Sequence, residues 1–436
     1  MRFNTHRFIE QQDLVKNNWS LSKKLTLRFF IIFFVLHAFP FMIEFYFPFL
    51  SKAFDWYTNI YTKIIPWFGE KVLHAAFINP ADNYDGDTLF GYTKILFLFI
   101  VATIGSLIWT LLDQTPRKYN RLLYWFTVGV RYYLAFVIFV YGFGKIIQTQ
   151  FPYPNLFKLN QTFGTQSPMG LLWNFMGFSK SYNFFTGMAE VVGALLILFR
   201  RTLTLGALIL VTVLSNVVML NFCYDVSVKL YSSLELMMAM FLAGLDYKRL
   251  LNVFFKNKIA LPVYELKPFA TQRYFFTSRI VKWTLIVFVL LFSYKENANY
   301  FVPAVEIQKK QPLRGIYEVE LFMLNKDTLA PLTTDTTRWR KVIIEYPDRG
   351  QIQLMNDSTS AYSILSDSAA QSLVLMPRSD TLQKNHFSFF KQQPNQLILK
   401  GNWKTDSLIV TLKKLDENQY LLNSRGFHWV NETLHR

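Results

Sequence analysis

Cysteine occurs once in the 436 residues, at Cys223, so no disulfide and no Cys-x-x-Cys pair can form within one chain. Charged residues are scarce as well, at 17% against the ~25% usual for soluble globular proteins. The six histidines (His6, His37, His74, His386, His428 and His435) include no i, i+4 pair, which argues against a two-histidine helical haem or metal site. Gly142-Phe-Gly144-Lys145 is no phosphate-binding loop, because Phe139 stands where the first glycine is needed and Ile146 follows the lysine. A Gly-x-Ser-x-Gly nucleophile elbow is missing too. Any redox chemistry must therefore use a bound cofactor.

What the chain has instead is apolar surface. Hydrophobic residues make up 52% of it, and phenylalanine alone fills 44 positions. That composition excludes a disordered chain and points to an integral membrane protein. The formal net charge of +17 would suit nucleic acid only as a contiguous basic patch with aromatic or polar readers. Residues 301–436 carry 17 Lys and Arg against 14 Asp and Glu, so almost all of the excess lies in the first 300 residues. There it flanks apolar runs, as cytoplasmic charge does in membrane proteins. Nucleic acid is not an expected partner.

A hydrocarbon core of ~30 Å needs ~20 mostly apolar residues per helix. Seven segments qualify, some with polar interruptions: 26–49, 92–112, 122–147, 184–199, 203–222, 230–246 and 279–294. With the N-terminus inside, the cytoplasmic pieces hold 19 Lys and Arg and the outer loops hold 6. The positive-inside rule then places the N-terminus in the cytoplasm and, after seven spans, the C-terminal region outside. Residues 51–80 read as an amphipathic helix at the outer interface. Ser167–Phe178 is apolar but too short to span, and reads as a re-entrant or surface segment.

After Tyr294 the composition turns polar, with short β-prone runs. Candidate strands are Ile316–Met323, Arg338–Tyr346, Gln351–Met355, Ser372–Met376, Phe387–Phe390, Gln396–Lys400, Ser407–Lys413 and Gln419–Asn423, with turns at Asp348-Arg-Gly350 and Lys400-Gly-Asn402. About eight short strands predict an antiparallel meander, a lipocalin-like barrel or a sandwich, holding one small ligand or filled by side chains. The expected organisation is an N-terminal transmembrane pair with its outer segment (1–119), a four-helix unit (120–255), a cytoplasmic loop with the last helix (256–300) and a periplasmic all-β domain (301–436).

An ionisable side chain inside a membrane segment costs several kcal/mol unless paired, so each is a functional candidate. Arg131, Tyr141 and Lys145 lie on the third segment, and Gly187, Glu190 and Ala194 form a small-residue stripe with one acid on the fourth. Thr212, Asn216 and Asn221 follow, then Asp225 and Lys229 at i, i+4, and Glu235. Counted at 1.5 Å per residue, Lys145, Glu190, Asn216 and Glu235 fall in one outer layer, with Arg131 and His37 deeper. Two readings stay open. Tyr141, Lys145, Glu190, Asn216 and Glu235 line a pocket for a quinone or lipid headgroup, or Lys145–Glu190 is an ion pair that fixes helix register. On the β domain, Arg425, His428, Trp429 and Glu432 form a ligand or partner surface, or a strand closing the barrel with Trp429 in its core.

Arg131…Gly142-Phe-Gly144-Lys145, Gly187-Met-Ala-Glu190-Val-Val-Gly193, Arg200-Arg201 and Asn221-Phe-Cys-Tyr-Asp225-Val-Ser-Val-Lys229-Leu resemble the four-helix membrane unit of the DoxX-like family. The resemblance covers roughly residues 120–255. It implies a bacterial inner-membrane protein and, from the thiosulfate oxidoreductase that gave the family its name, a membrane subunit of a redox or stress complex with quinone as cofactor. It carries over Arg131, Lys145 and Glu190 as the family's intramembrane polar positions. Arg425-Gly-Phe-His-Trp429-Val-Asn-Glu432 resembles a feature of the long form in Bacteroidetes-type bacteria, and envelope proteins are the partners that form implies.

Overall fold

A computed structural model describes residues 19–75, 86–113, 119–259, 272–309, 311–380 and 382–430. The helices are Leu21–Ala38 (α1), Phe41–Tyr46 (α2), Ser51–Lys71 (α3), Leu89–Leu112 (α4), Tyr119–Ile146 (α5), Leu156–Asn160 (α6), Pro168–Phe178 (α7), Lys180–Ile197 (α8), Leu203–Cys223 (α9), Lys229–Gly244 (α10), Tyr247–Phe254 (α11), Gln272–Lys309 (α12) and Leu421–Ser424 (α13). By contacts the chain divides into a helical unit, Met1–Ile146 with Phe184–Asn297, and a second unit, Ile147–Asn183 with Ala298–Arg436.

In the helical unit the apolar runs become helices because only an α-helix satisfies every backbone group within its own segment. Among the described residues, five helical stretches are long and apolar enough to cross a membrane: Leu21–Tyr46 (α1 and α2 together), α4, α5, α9 and Phe276–Phe301 within α12. The chain is thus built as a multi-pass membrane protein with a β domain. The expected spans at 184–199 and 230–246 fall on α8 and α10, helices of 18 and 16 residues. Caps fix several starts: Ser20 accepts from the Lys23 amide at 3.4 Å and Thr88 from the Gly91 amide at 3.1 Å. Helix α3 is amphipathic, burying Tyr61, Ile65 and Phe68 while Trp56, Ile60 and Trp67 stay exposed. The expected continuation to residue 80 lies partly outside the described residues.

The C-terminal strands are Gly315–Leu324 (β1), Asp327–Thr328 (β2), Trp339–Tyr346 (β3), Arg349–Leu354 (β4), Thr359–Asp367 (β5), Ser372–Pro377 (β6), Asn385–Gln393 (β7), Gln396–Trp403 (β8) and Asp406–Lys414 (β9). Each of β3 to β8 pairs antiparallel with the next, and β1 pairs with both β3 and β9, with Ile316 opposite Ile343 and Tyr317 opposite Lys414. Eight strands thus close a barrel that leaves no edge open, and the two-residue β2 only extends β1. Alternate residues point inward: Leu397 and Leu399 on β8, Leu408, Val410 and Leu412 on β9, Phe387 and Phe389 on β7. A register shift between Val319 and Leu321 lets β1 turn Tyr317, Val319 and Phe322 to the same interior. The Trp339 ring lies fully buried there, 4.8 Å from the Trp403 ring.

Three expectations about this domain are corrected. Residues 419–423 form no strand, because Asp416 caps a 3-10 turn over Glu417–Gln419 that runs on into α13. The eighth barrel strand is instead β5, whose Thr, Ser and Ala content hides it, with Tyr362 and Ile364 as its buried alternate pair. Lys400-Gly-Asn402 lies inside β8, and the turn falls two residues later, between Trp403 and Asp406. Gly401 is there for approach: a Cβ would stand 2.0 Å from the His386 carbonyl oxygen on β7.

Residues 147–183 belong to the barrel unit. Leu156 is fully buried against Ile316 and Ile343, a cross-strand pair facing away from the barrel interior. Its amide donates to Glu345 Oε2 at 2.7 Å, and Arg314 Nε approaches the other oxygen at 3.3 Å. Lys341 Nζ donates to Asn160 Oδ1 at 2.8 Å and Tyr153 Oη to the Leu422 carbonyl at 3.1 Å. Burial holds the Lys341 ammonium below its ordinary range and pushes the Tyr317 phenol up to about 12.

Candidate functional site

Helices α5 and α8 cross where each carries a glycine. A Cβ on Gly187 would meet the Gly142 carbonyl oxygen at 2.6 Å, and one on Gly142 would meet Val191 Cγ2 at 2.7 Å. Small residues let the two backbones approach, as in membrane helix pairs generally. Three residues beyond each glycine stand the two charges. Lys145 Nζ donates to Glu190 Oε1 and Oε2, both at 2.8 Å, and both side chains are buried. The stripe of small residues thus brings the ion pair together.

Glu235 of α10 is the third charge. It is 8% exposed, has no direct hydrogen bond or ion pair among the described residues, and lies in the electrostatic field of Lys145 and Glu190. Tyr133 and Tyr141 of α5 lie in the field of Glu235, and Tyr141 also in that of Glu190. The Tyr133 ring in turn contacts the His37 ring, centroids 6.4 Å apart. One lysine, two glutamates and two tyrosines can hold a polar headgroup through hydrogen bonds or pass a proton between carboxyl groups.

The other expected residues are placed as follows. Tyr141 is 39% exposed and Asn216 lies on the exposed face of α9, so Asn216 is not brought to the ion pair. Asn221 Nδ2 donates to Ser232 Oγ at 3.0 Å, tying α9 to α10. Lys229 Nζ pairs with Asp225 at 2.8 Å and with Asp87 at 3.4 Å. Arg131 sits away from Lys145, its Nε donating to the Ile197 carbonyl at 2.5 Å. Arg425 and His428 lie in the irregular chain after α13, with His428 Nδ1 2.9 Å from the Gly426 carbonyl. Trp429 is 91% exposed and stacks edge-on with Phe427, so it is no barrel-core residue; β9 pairing with β1 has already closed the sheet. Glu432 lies outside the described residues.

Sequence reasoning missed several buried polar groups. Asp87 accepts from the Lys229 and Leu230 amides at 2.8 and 2.9 Å and so caps α10 from 142 positions upstream. Arg28 is buried with Asp113, Thr110 and Tyr119, joining α1, α4 and α5. His37, Lys94 and Tyr231 line a small cavity of about 20 Å³, room for about one water. The i, i+4 Asp225–Lys229 spacing hinted at charge near Asp87, but nothing local to Asp87 revealed its role.

No family model matches the chain, and no solved structure matches it. A protein of Bacillus subtilis (strain 168), the uncharacterized protein YwoB, is 31% identical over 131 residues, 30% of this chain and 82% of that protein. Such coverage reaches most of a whole relative, and the chain belongs to the same family as YwoB.

Proposed function

We propose that the chain is a DoxX-like bacterial inner-membrane protein whose bundle binds the polar head of a quinone or lipid at Lys145, Glu190 and Glu235, as a membrane subunit of an envelope redox or stress complex. The observation that carries this reading is Glu235. A register lock needs one cation and one anion, and Lys145 with Glu190 already satisfies that need. A second carboxyl, buried without a direct partner beside a completed pair, is costly in a membrane unless it serves a ligand or a proton.

The proposed orientation keeps the N-terminus in the cytoplasm and the barrel on the periplasmic side. The lysine and arginine asymmetry supports it. The joining of residues 147–183 with the barrel in one unit supports placing these two stretches on the same side, whichever side that is. Those two stretches share a side only if the chain crosses an even number of times between them, which crossings by α8, α9, α10 and α12 meet.

The test is small-molecule mass spectrometry on protein purified in mild detergent, beside Glu235→Gln and Glu190→Gln. Near-stoichiometric quinone or one lipid species, lost in Glu235→Gln with the thermal midpoint unchanged, is the expected result. Equal bulk phospholipid in all three samples would overturn the reading. A second reading, a non-enzymatic envelope assembly protein, is favoured by the exposed Phe427, Trp429 and Val430 after the barrel. Together with Arg425 and His428 they would meet a partner protein, which cross-linking from position 429 in cells would capture.

A further inference from the structure

The end of α8 is unusually well supplied with donors. The carbonyls of Leu196, Ile197 and Leu198 accept from Thr202 Oγ1 at 2.7 Å, Arg131 Nε at 2.5 Å and Lys282 Nζ at 2.7 Å. A helix C-terminus carries about half a negative charge, enough to favour one cation. Here two full cations from α5 and α12 meet it, and Lys282 lies in the field of Arg131. Among the described residues no carboxylate pairs with either one. Arg131 is 6% exposed, yet its two terminal nitrogens have no acceptor among those residues. Arg200 adds to the same positive field, and Lys282 Nζ stands 4.4 Å from the Phe199 ring centroid.

A guanidinium on a residue only 6% exposed, with no acceptor for its terminal nitrogens among the described residues and beside an excess of positive charge, calls for an anion. We propose that Arg131 and Lys282 bind a phosphate group where α8 ends, carried by an anionic phospholipid or supplied as free phosphate. The planar guanidinium presents paired N–H donors that match two phosphate oxygens, and the ammonium acts as the second point charge. Basic pockets between membrane helices hold lipid headgroups in this way. Arg131 and Lys145 are 14 residues apart on α5, about 21 Å along the axis, so this site stands whether or not the Lys145–Glu190–Glu235 cluster binds anything.

The experiment follows thermal unfolding of the full chain in dodecyl maltoside. Phosphatidylglycerol or phosphatidylcholine is added in mixed micelles, and sodium phosphate is compared with chloride at matched ionic strength. Phosphatidylglycerol is expected to raise the midpoint where phosphatidylcholine does not. Lys282→Gln leaves the Arg131–Ile197 bond in place and is expected to need about tenfold more phosphatidylglycerol for the same rise, with Lys282→Arg restoring the response. A rise with sodium phosphate alone would support the site and identify soluble phosphate as the source. Equal responses to the two lipids with no phosphate effect would overturn the proposal. So would a Lys282→Gln variant that is less stable at baseline but keeps the full phosphatidylglycerol response, which is what a helix cap alone predicts.

Discussion

Single residues carry the sharpest expectations. Lys145→Met leaves Glu190 as an uncompensated buried acid, and Glu190→Gln leaves the lysine without its counter-charge. Each is expected to cost about 3–5 kcal/mol, with part regained in the double variant, as measured by thermal unfolding in detergent. Asp87→Ala removes both acceptors at the start of α10 and is expected to cost about 1–2 kcal/mol, the range of a lost helix cap, by the same assay. The first pair was legible in the sequence because counting along a helix gives depth, and depth brought Lys145 and Glu190 into one layer. Asn216 shows the limit of that reasoning. Its helix is apolar on every side, so periodicity could not say which face turns inward, and Asn216 faces out. Asp87 was beyond reach for another reason, since its partners lie 142 positions away.

At the scale of elements, seven of the eight barrel strands could be read from β-branched and aromatic runs, and the exception is instructive. Strand β5 needs only Tyr362 and Ile364 to cover the interior, so Thr, Ser, Ala and Asp fill all its other positions but Leu365, and its β signal fades. Residues 419–423 misled in the opposite sense, because Leu421 and Leu422 look strand-like while Asp416 and Glu417 start a turn. Glycine marks close approach in both units. Gly401→Ala drives a methyl into the His386 carbonyl, and circular dichroism melts of the variant are expected to show about 1–3 kcal/mol lost. Gly187→Leu meets the Gly142 backbone and should separate α5 from α8, so that the variant loses the Lys145–Glu190 contact with the crossing.

The whole molecule makes a prediction about sidedness. In a Cys223→Ser background, Thr405→Cys in the β8–β9 turn and Lys256→Cys after α11 are both exposed. An impermeant maleimide added to spheroplasts is expected to label position 405 at once and position 256 only after permeabilisation; the reverse pattern would invert the proposed orientation. The composition divided the chain at residue 301, whereas the folded molecule draws residues 147–183 across that boundary. No composition signal could show this, because the tie is a few contacts on Leu156, Asn160 and Tyr153. It also sets an order in time. Leu156 leaves the ribosome roughly 260 residues before β9, the strand that completes the barrel, which at ~5–20 residues per second is a delay of about 13–50 s. For the first 189 of those residues its amide awaits Glu345 and its side chain awaits Ile316 and Ile343, and the barrel that carries these partners closes only when β9 pairs with β1. A chain stopped short of β9 therefore loses more than its last domain: it strands a segment finished long before, and becomes a substrate for the cell's proteases at a point far upstream of the break.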